Sequence, residues 1–212
     1  MDPDRLTLFT NPQSRGRIAR WMLEEIAAPY ETVVLEYGTT MKAPEYLAIN
    51  PMGKVPAIRH GNTAVTEAAA ICAYLADAFP RSGLAPDPNS RLRGPYYRWL
   101  FFAAGPVEAA ASNKALGFSV PPGRERMMGY GTYADVMDAL EAAISQGDYL
   151  LGEQFSAADV YLGSHLGFGM QFGTIERRPA FEAYWAKVSA RPAAVRARQI
   201  DDALTATPSP KA

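Results

Sequence analysis

Apolar positions in the first eighty residues change period several times. Arg5–Thr10 alternates polar and apolar side chains and predicts a short strand, whereas 17–27 places Ile18, Met22 and Ile26 on one helical stripe with Ala19 and Leu23 beside it. Residues 30–35 are rich in β-formers, 38–40 read as loop, and 55–58 and 63–65 flank a His60-Gly61-Asn62 turn that reads as a hairpin. A helix over 68–79 closes this stretch. Residues 81–90 then hold Gly83, Pro86, Pro88 and Asn89, a linker composition. Beyond it, 92–105, 125–145, 157–168 and 179–190 carry apolar residues at helical spacing, and no strand pattern follows Val65. Pro106 is expected to kink or end its helix, and Pro121-Pro122-Gly123 to separate two. The predicted division is an α/β domain over 1–82, a linker over 83–90, an all-helical domain over 91–205 and a frayed tail over 206–212.

Bulk properties narrow the function. With 21 basic and 22 acidic residues, a net charge of −1 and no long run of either sign, the 212-residue chain offers neither a nucleic-acid surface nor a polybasic membrane anchor. Small-molecule partners fit better. Cys72 is the single cysteine, and Met1 to Leu6 lacks the basic and apolar regions of a signal peptide, so a reducing cytoplasm is expected. No stretch approaches the roughly 18 uninterrupted apolar residues of a spanning helix. His60 and His165 are the only histidines; with one cysteine they indicate neither a zinc site nor a Cys–His nucleophile, and Cys72 reads as inert packing.

One segment carries more chemistry than the rest: Asn50 to Ile58, read as Asn-Pro-Met-Gly-Lys-Val-Pro-Ala-Ile, followed by Val65-Thr66-Glu67-Ala68 and an apolar helical run. A proline entering a strand cannot donate to a ladder, so the backbone at Val55-Pro56 is offered to something other than a neighbouring strand, for which an extended peptide suffices. Glu67 at a helix start supplies an acceptor for an ammonium group, and the free N–H groups of the helix start can hold a carboxylate. Glu67 can equally serve as a helix N-terminal acid.

This segment resembles the N-terminal domain of cytosolic glutathione transferases of bacterial type. The opening from Leu6 to Glu25 is similar to the family's first strand, catalytic loop and first helix, and Phe155-Ser156-Ala157-Ala158-Asp159 to its helix-capping motif. The resemblance implies a thioredoxin-like N-terminal domain with a C-terminal helical bundle, and glutathione as co-substrate without a metal. It implies that Val55 pairs the tripeptide through its backbone, that cis-Pro56 supplies shape, that Glu67 holds the α-amino group and Lys54 the glycyl carboxylate. It also implies a homodimer. Where many members have serine after the acidic residue this chain has Ala68, whose backbone N–H remains and beside which Thr66 can supply a hydroxyl.

Ser14, after the first strand at the foot of a helix, is the candidate thiolate partner. Asn11 is the first reserve, and Thr10, Gln13 and Arg15 remain competitors; Ser14 can also simply cap the helix. Lowering a thiol pKa by about two units takes about 2.7 kcal/mol, which a charge-assisted hydrogen bond of roughly 1.5–3 kcal/mol supplies. Arg17 and Arg20 are expected to be solvated, or Arg20 paired with Glu24, and are left outside the site. Ser156 and Asp159 read as a capping box with Phe155 and Val160 as a hydrophobic staple. Aromatic residues gather at 96–102 and 168–172, most of them expected in a bundle core; Tyr97, Phe101, Phe102 and Phe168 are the candidates for an apolar electrophile pocket. The expected reaction is conjugation of glutathione to a small hydrophobic electrophile. Glutathione-dependent peroxide or disulfide reduction on the same site, or a non-catalytic glutathione-binding module of the same fold, remain open, Ala68 favouring the last.

Overall fold

The structure, a computed structural model, describes residues 5–206. It resolves into two units, one formed by Met1–Ser82 together with Arg191–Ala212, the other by Gly83–Ala190.

In the first unit, β1 (Leu6–Thr10), α1 (Gly16–Ile26) and β2 (Tyr30–Val34) are followed by α2 (Pro44–Leu47), β3 (Ala57–His60), β4 (Thr63–Thr66) and α3 (Ala68–Ala78). The sheet order is β2-β1-β3-β4, with β1 parallel to β2 and antiparallel to β3. This is the thioredoxin-like arrangement that the sequence implied. Side-chain alternation decides which face is which. Leu6, Leu8 and Ile58 share the face on which α1 and α3 pack, and all three are buried, as are Ile18, Met22, Ile71 and Leu75. Phe9 and Ala57 point the other way and join Leu35, Met41 and Tyr46 in a smaller core.

Two short elements were hidden from periodicity. Residues 38–40, read as loop, lead into a 3₁₀ turn at Thr40–Lys42 and the one-turn α2, which begins with Pro44 in the first helical position. An element of four residues is too short to show a helical stripe, though Pro44 is a start signal. The third strand begins at Ala57 rather than Val55, because Pro56 has no N–H to enter the ladder.

The second unit holds α4 (Arg93–Phe102), α5 (Glu108–Ala115), α6 (Tyr133–Ile144), α7 (Ala157–Phe172) and α8 (Pro179–Ser189). Pro106 neither ends nor sharply separates α4 and α5; it sits in a π-helical turn, Ala103–Val107, that joins them. A wider turn accommodates a residue without an amide hydrogen. The helix predicted from residue 125 begins only at Tyr133, where Thr132 and Asp135 form a reciprocal capping box, and 125–127 are a 3₁₀ turn. After β4 the described residues contain only isolated bridges at Tyr149–Gly152 and Leu151–Gln154.

Helix α9 (Pro192–Ala206) departs from the predicted division. It was expected within the helical domain over 91–205, yet it packs on α1 and belongs to the first unit. The tail expected over 206–212 lies, from 207 onward, outside the described residues.

The capping box of α7 is formed as expected. Asp159 accepts from the backbone N–H and hydroxyl of Ser156, at 2.8 and 2.9 Å, and from Leu150 N and the Tyr184 hydroxyl, at 2.8 and 2.7 Å. Burial pushes its carboxyl above the ordinary range, and these donors pull against that shift. Removing it would strand several buried donors at once. Asp159→Ala should therefore cost about 3 kcal/mol in a denaturant titration, against about 1 kcal/mol for Ser156→Ala.

Candidate functional site

Strand register brings the candidate segments together. Phe9 lies opposite Ala57, and Ala57 opposite Thr66, so these three form a row across the sheet. One residue beyond the row stand Thr10, Pro56 and Glu67. The turn after β1, the Val55-Pro56 peptide and the start of α3 thus share one end of the sheet.

The turn at 11–15 is tied at several points. Asn11 is buried, its Nδ2 donating 2.8 Å to the Leu35 carbonyl and its Oδ1 accepting from Gln13 N at 2.9 Å. Ser14 is half-buried, its N–H and hydroxyl both donating to the Asn11 carbonyl, at 3.1 and 2.6 Å, while Gly16 N donates 2.9 Å to its Oγ. Asn11 is therefore an anchor of the turn, and Ser14 presents the more accessible polar group. Gln13 and Arg15 are exposed, and Thr10 is fully buried. Gly16 makes this fold of the turn possible, since a Cβ there would overlap Thr10 Oγ1 and stand 3.0 Å from Ser14 Oγ.

The Val55-Pro56 peptide is cis. Upstream, Asn50 Nδ2 and the Tyr46 hydroxyl both donate to the Lys54 carbonyl, at 2.7 and 2.5 Å, and Asn50 Oδ1 accepts from Met52 N at 3.1 Å. Gly53, at φ +55°, lies so close to the Met41 carbonyl that a Cβ would stand 2.6 Å from its oxygen. Asn50 and Gly53 thus fix the path of the chain into the cis peptide. Their signal was present in the sequence as an Asn-Pro turn start followed by glycine. The Lys54 side chain is exposed.

Glu67 is exposed and has φ 65° and ψ 117°, an unusual conformation for a residue other than glycine. Such backbone strain collects where a functional geometry demands it. No sequence pattern announces it. Ala68 opens α3, and as the first helical residue its N–H has no partner within the helix. Thr66, the possible hydroxyl substitute, is half-buried at the end of β4.

Arg17 and Arg20 do not lie in solvent, nor does Arg20 pair with Glu24. Arg20 is buried, its Nε donating 2.8 Å to Asp201 of α9 and its Nη1 reaching the Tyr30 hydroxyl at 3.1 Å and Thr32 Oγ1 at 3.2 Å. Burial opposes its charge, but Asp201 and Tyr30 together raise its proton affinity above the ordinary value. Glu24 pairs instead with Arg196. Pairing across 181 positions leaves no periodic trace in a single chain.

In the second unit, Tyr97 and Phe101 lie a turn apart on the exposed side of α4, Phe101 being 73% exposed. Phe102 is half-buried with its ring edge-on to Trp99, and Phe168 is half-buried on α7. Tyr96, Trp99 and Met170 are core. His60 stacks on Phe79 and bonds the Tyr74 hydroxyl, and His165 stands 3.7 Å from Glu108. Burial pushes the Cys72 thiol up to about 12, which leaves it protonated and inert. Among the described residues no group of three or more His, Cys, Asp or Glu is placed to hold a metal, and no helix is long and apolar enough to cross a membrane. A cavity of about 500 Å³ on the α2 face of the sheet, lined among others by Arg5, Phe9, Val33, Tyr46 and Arg59, contains none of the candidate residues.

Known proteins resemble this chain in sequence and fold. The family model for the glutathione S-transferase N-terminal domain matches residues 4–77, and that for the C-terminal domain matches 121–168. A similar relative is glutathione S-transferase F10 of Arabidopsis thaliana, 30% identical over 209 residues that cover 89% of this chain and 94% of that one. Among solved structures, a glutathione transferase of Methylococcus capsulatus superposes with a TM-score of 0.79 at 27% identity, covering 93% of this chain and 99% of its own. A sphingomonad glutathione S-transferase complexed with glutathione gives 0.75 at 29% identity, covering 92% and 98%.

The close approach at Gly16 yields a test. Gly16→Ala should lower stability by about 1–3 kcal/mol in denaturant unfolding, and adding Thr10→Ala should recover part of that loss by clearing the overlap.

Proposed function

The chain belongs to the glutathione S-transferase family, and from that premise we propose that this glutathione transferase holds the tripeptide along Lys54–Pro56, ionises its thiol at the 11–15 turn and adds the sulfur to a small hydrophobic electrophile. The observation that carries the reading is the row Phe9–Ala57–Thr66, beyond which the turn, the cis peptide and the strained Glu67 share one end of the sheet.

An extended peptide lying there meets Val55 N–H and C=O where the sheet ladder has stopped, so main-chain hydrogen bonds supply affinity. Glu67 accepts from its α-amino group, and the N–H groups of Ala68 and the following residue take the neighbouring carboxylate, with Lys54 for the glycyl end. Absence of a hydroxyl at Ala68 removes one contact, a loss of about 1 kcal/mol that weakens binding without abolishing it.

Ser14 is the group we assign to the thiolate. Its hydroxyl donates to the Asn11 carbonyl at 2.6 Å and can turn about its C–O bond, so an arriving anion competes for the donor. Charge-assisted acceptors win that competition, since they bind about twice as strongly as neutral ones. Gly16 N continues to donate to Oγ and polarises the hydroxyl further. The thiolate then attacks the electrophilic carbon, a C–S bond forms, and a leaving group departs or an activated double bond takes up a proton. Tyr97, Phe101, Phe102 and Phe168 are the residues we assign to the apolar partner.

The same reading extends to a cytoplasmic homodimer serving in detoxification, supported by the family resemblance. Ala68 and the engaged hydroxyl of Ser14 favour one alternative, a binding module without turnover, and peroxide reduction by the same thiolate is another.

Immobilised glutathione should retain the protein, and no binding at millimolar ligand would reject the reading. Ser14→Ala should lower conjugation of a model aryl halide by about ten- to a hundredfold with the fold intact, while unchanged rates would transfer the role to Asn11 or the backbone. Parallel assay with cumene hydroperoxide ranks conjugation against peroxide reduction; silence in both, with glutathione bound, identifies the binding module.

A further inference from the structure

Arg17 joins the 11–15 turn to the last helix. Its Nε donates 2.6 Å to the Pro12 carbonyl, and its Nη2 lies 2.8 Å from Asp202 Oδ1 on α9. The Pro12 carbonyl and the Gln13 N–H are opposite ends of one planar peptide, and the N–H end donates to Asn11 Oδ1. That plane is therefore held at both ends. Ser14 follows one peptide later, and the placement of its Oγ depends on the plane before it.

Asp202 is itself held in place. Arg17, Arg20, Glu24 and Glu25 along α1 pair with Asp202, Asp201, Arg196 and Arg191, in descending order along the second segment. Two antiparallel helices produce that order. The buried Arg20–Asp201 pair sets the register, and the adjacent Asp202 then meets Arg17. Because Asp202 is 58% exposed, its pair contributes little to stability, so its consequence lies in the geometry of the turn.

We propose that Arg17 is a positioning residue for thiol activation and that Asp202 orients it, so the C-terminal helix sets the Pro12–Gln13 peptide and, through it, the placement of Ser14 Oγ. The inference rests on the thiolate reading above. Lysine cannot replace this arginine, because one point donor cannot serve the carbonyl and the carboxylate with the fixed geometry of a guanidinium.

The test compares full-length wild type, Arg17→Ala, Arg17→Lys and Asp202→Asn. Arg17→Ala and Arg17→Lys should each lower kcat with an aryl halide about tenfold and raise the pKa of bound glutathione, read by ultraviolet absorbance, by about one unit. KM for glutathione should move less than about threefold, the melting temperature by only a few degrees, and Asp202→Asn should give a smaller loss of the same kind. Amide hydrogen exchange at Gln13 and Ser14 in ligand-free Asp202→Asn should be faster than in wild type. Unchanged kcat and thiol pKa in Arg17→Ala, full rescue by Arg17→Lys, or unchanged exchange in Asp202→Asn would each overturn the proposal. Wild type that binds glutathione without acidifying it would reject the thiolate reading instead, and the exchange comparison would still judge the link between helix and turn.

Discussion

Pairing of β1 with β3 is the constraint on which the rest depends. Leu6, Leu8 and Ile58 occupy one face because Leu8 lies opposite Ile58, and the same register sets Phe9 opposite Ala57. A slip of one residue would invert one strand, either turning Thr7 toward the helices and exposing Leu6 and Leu8, or turning Arg59 inward and exposing Ile58. It would also move Pro56 away from the end of β1. Core formation and site assembly are thus one event, and no separate interaction is needed to bring the turn, the cis peptide and α3 together.

Charge is used differently in this unit from apolar burial. The Arg20–Asp201 pair is removed from water, yet Arg20 Nη2 and Asp201 Oδ2 are buried without a hydrogen-bond partner among the described residues. A buried pair with unsatisfied atoms is poor evidence for net stability, since desolvation offsets its Coulomb attraction. Its visible effect is specificity: only one alignment of α9 on α1 lets Asp201 meet Arg20 Nε while Tyr30 and Thr32 take Nη1. Apolar contact alone would tolerate sliding. The pair selects one position from many.

Helices α1, α3, α4, α6, α7 and α8 were legible in the sequence because burial imposes a period on them, α5, which buries only Ala110, was not, and the hairpin was legible because its turn residues are chemically distinctive. The 3₁₀ turn and α2 were not, being shorter than a period. Helix α9 was missed for another reason. Pro192 to Ala206 buries Ala193, Ala194, Ala197 and Asp201, a stripe of alanines and an acid that no apolar count detects. Val55-Pro56 at the site and the capping box of α7 in the second unit could be read from residue type because proline and a serine–aspartate pair have few other uses at such positions. Glu67's strain and the roles of Asn11 and Arg17 could not. Each depends on a partner or a backbone angle that only the folded chain defines, as with Asn11 on Leu35 and Arg17 on Asp202.

The cavity on the α2 face and the candidate site lie apart, and the physics of peptide recognition explains why. On the α2 face, one turn of helix covers only part of the sheet, and a cleft of about 500 Å³ remains beside Phe9 and Tyr46. A tripeptide does not need such a volume. Its polar backbone is matched by a strand-like edge where a ladder has ended, by a helix start with free N–H groups and by a charged acceptor, all of which are surfaces rather than hollows. Enclosure would even work against thiol ionisation, because desolvation without a matching donor raises an acid's pKa, as the buried Cys72 shows by standing at about 12. A half-buried hydroxyl on a tethered turn avoids that penalty. In the proposed site it leaves the anion partly solvated while supplying one directed hydrogen bond, for which the hydroxyl has only to turn from the Asn11 carbonyl.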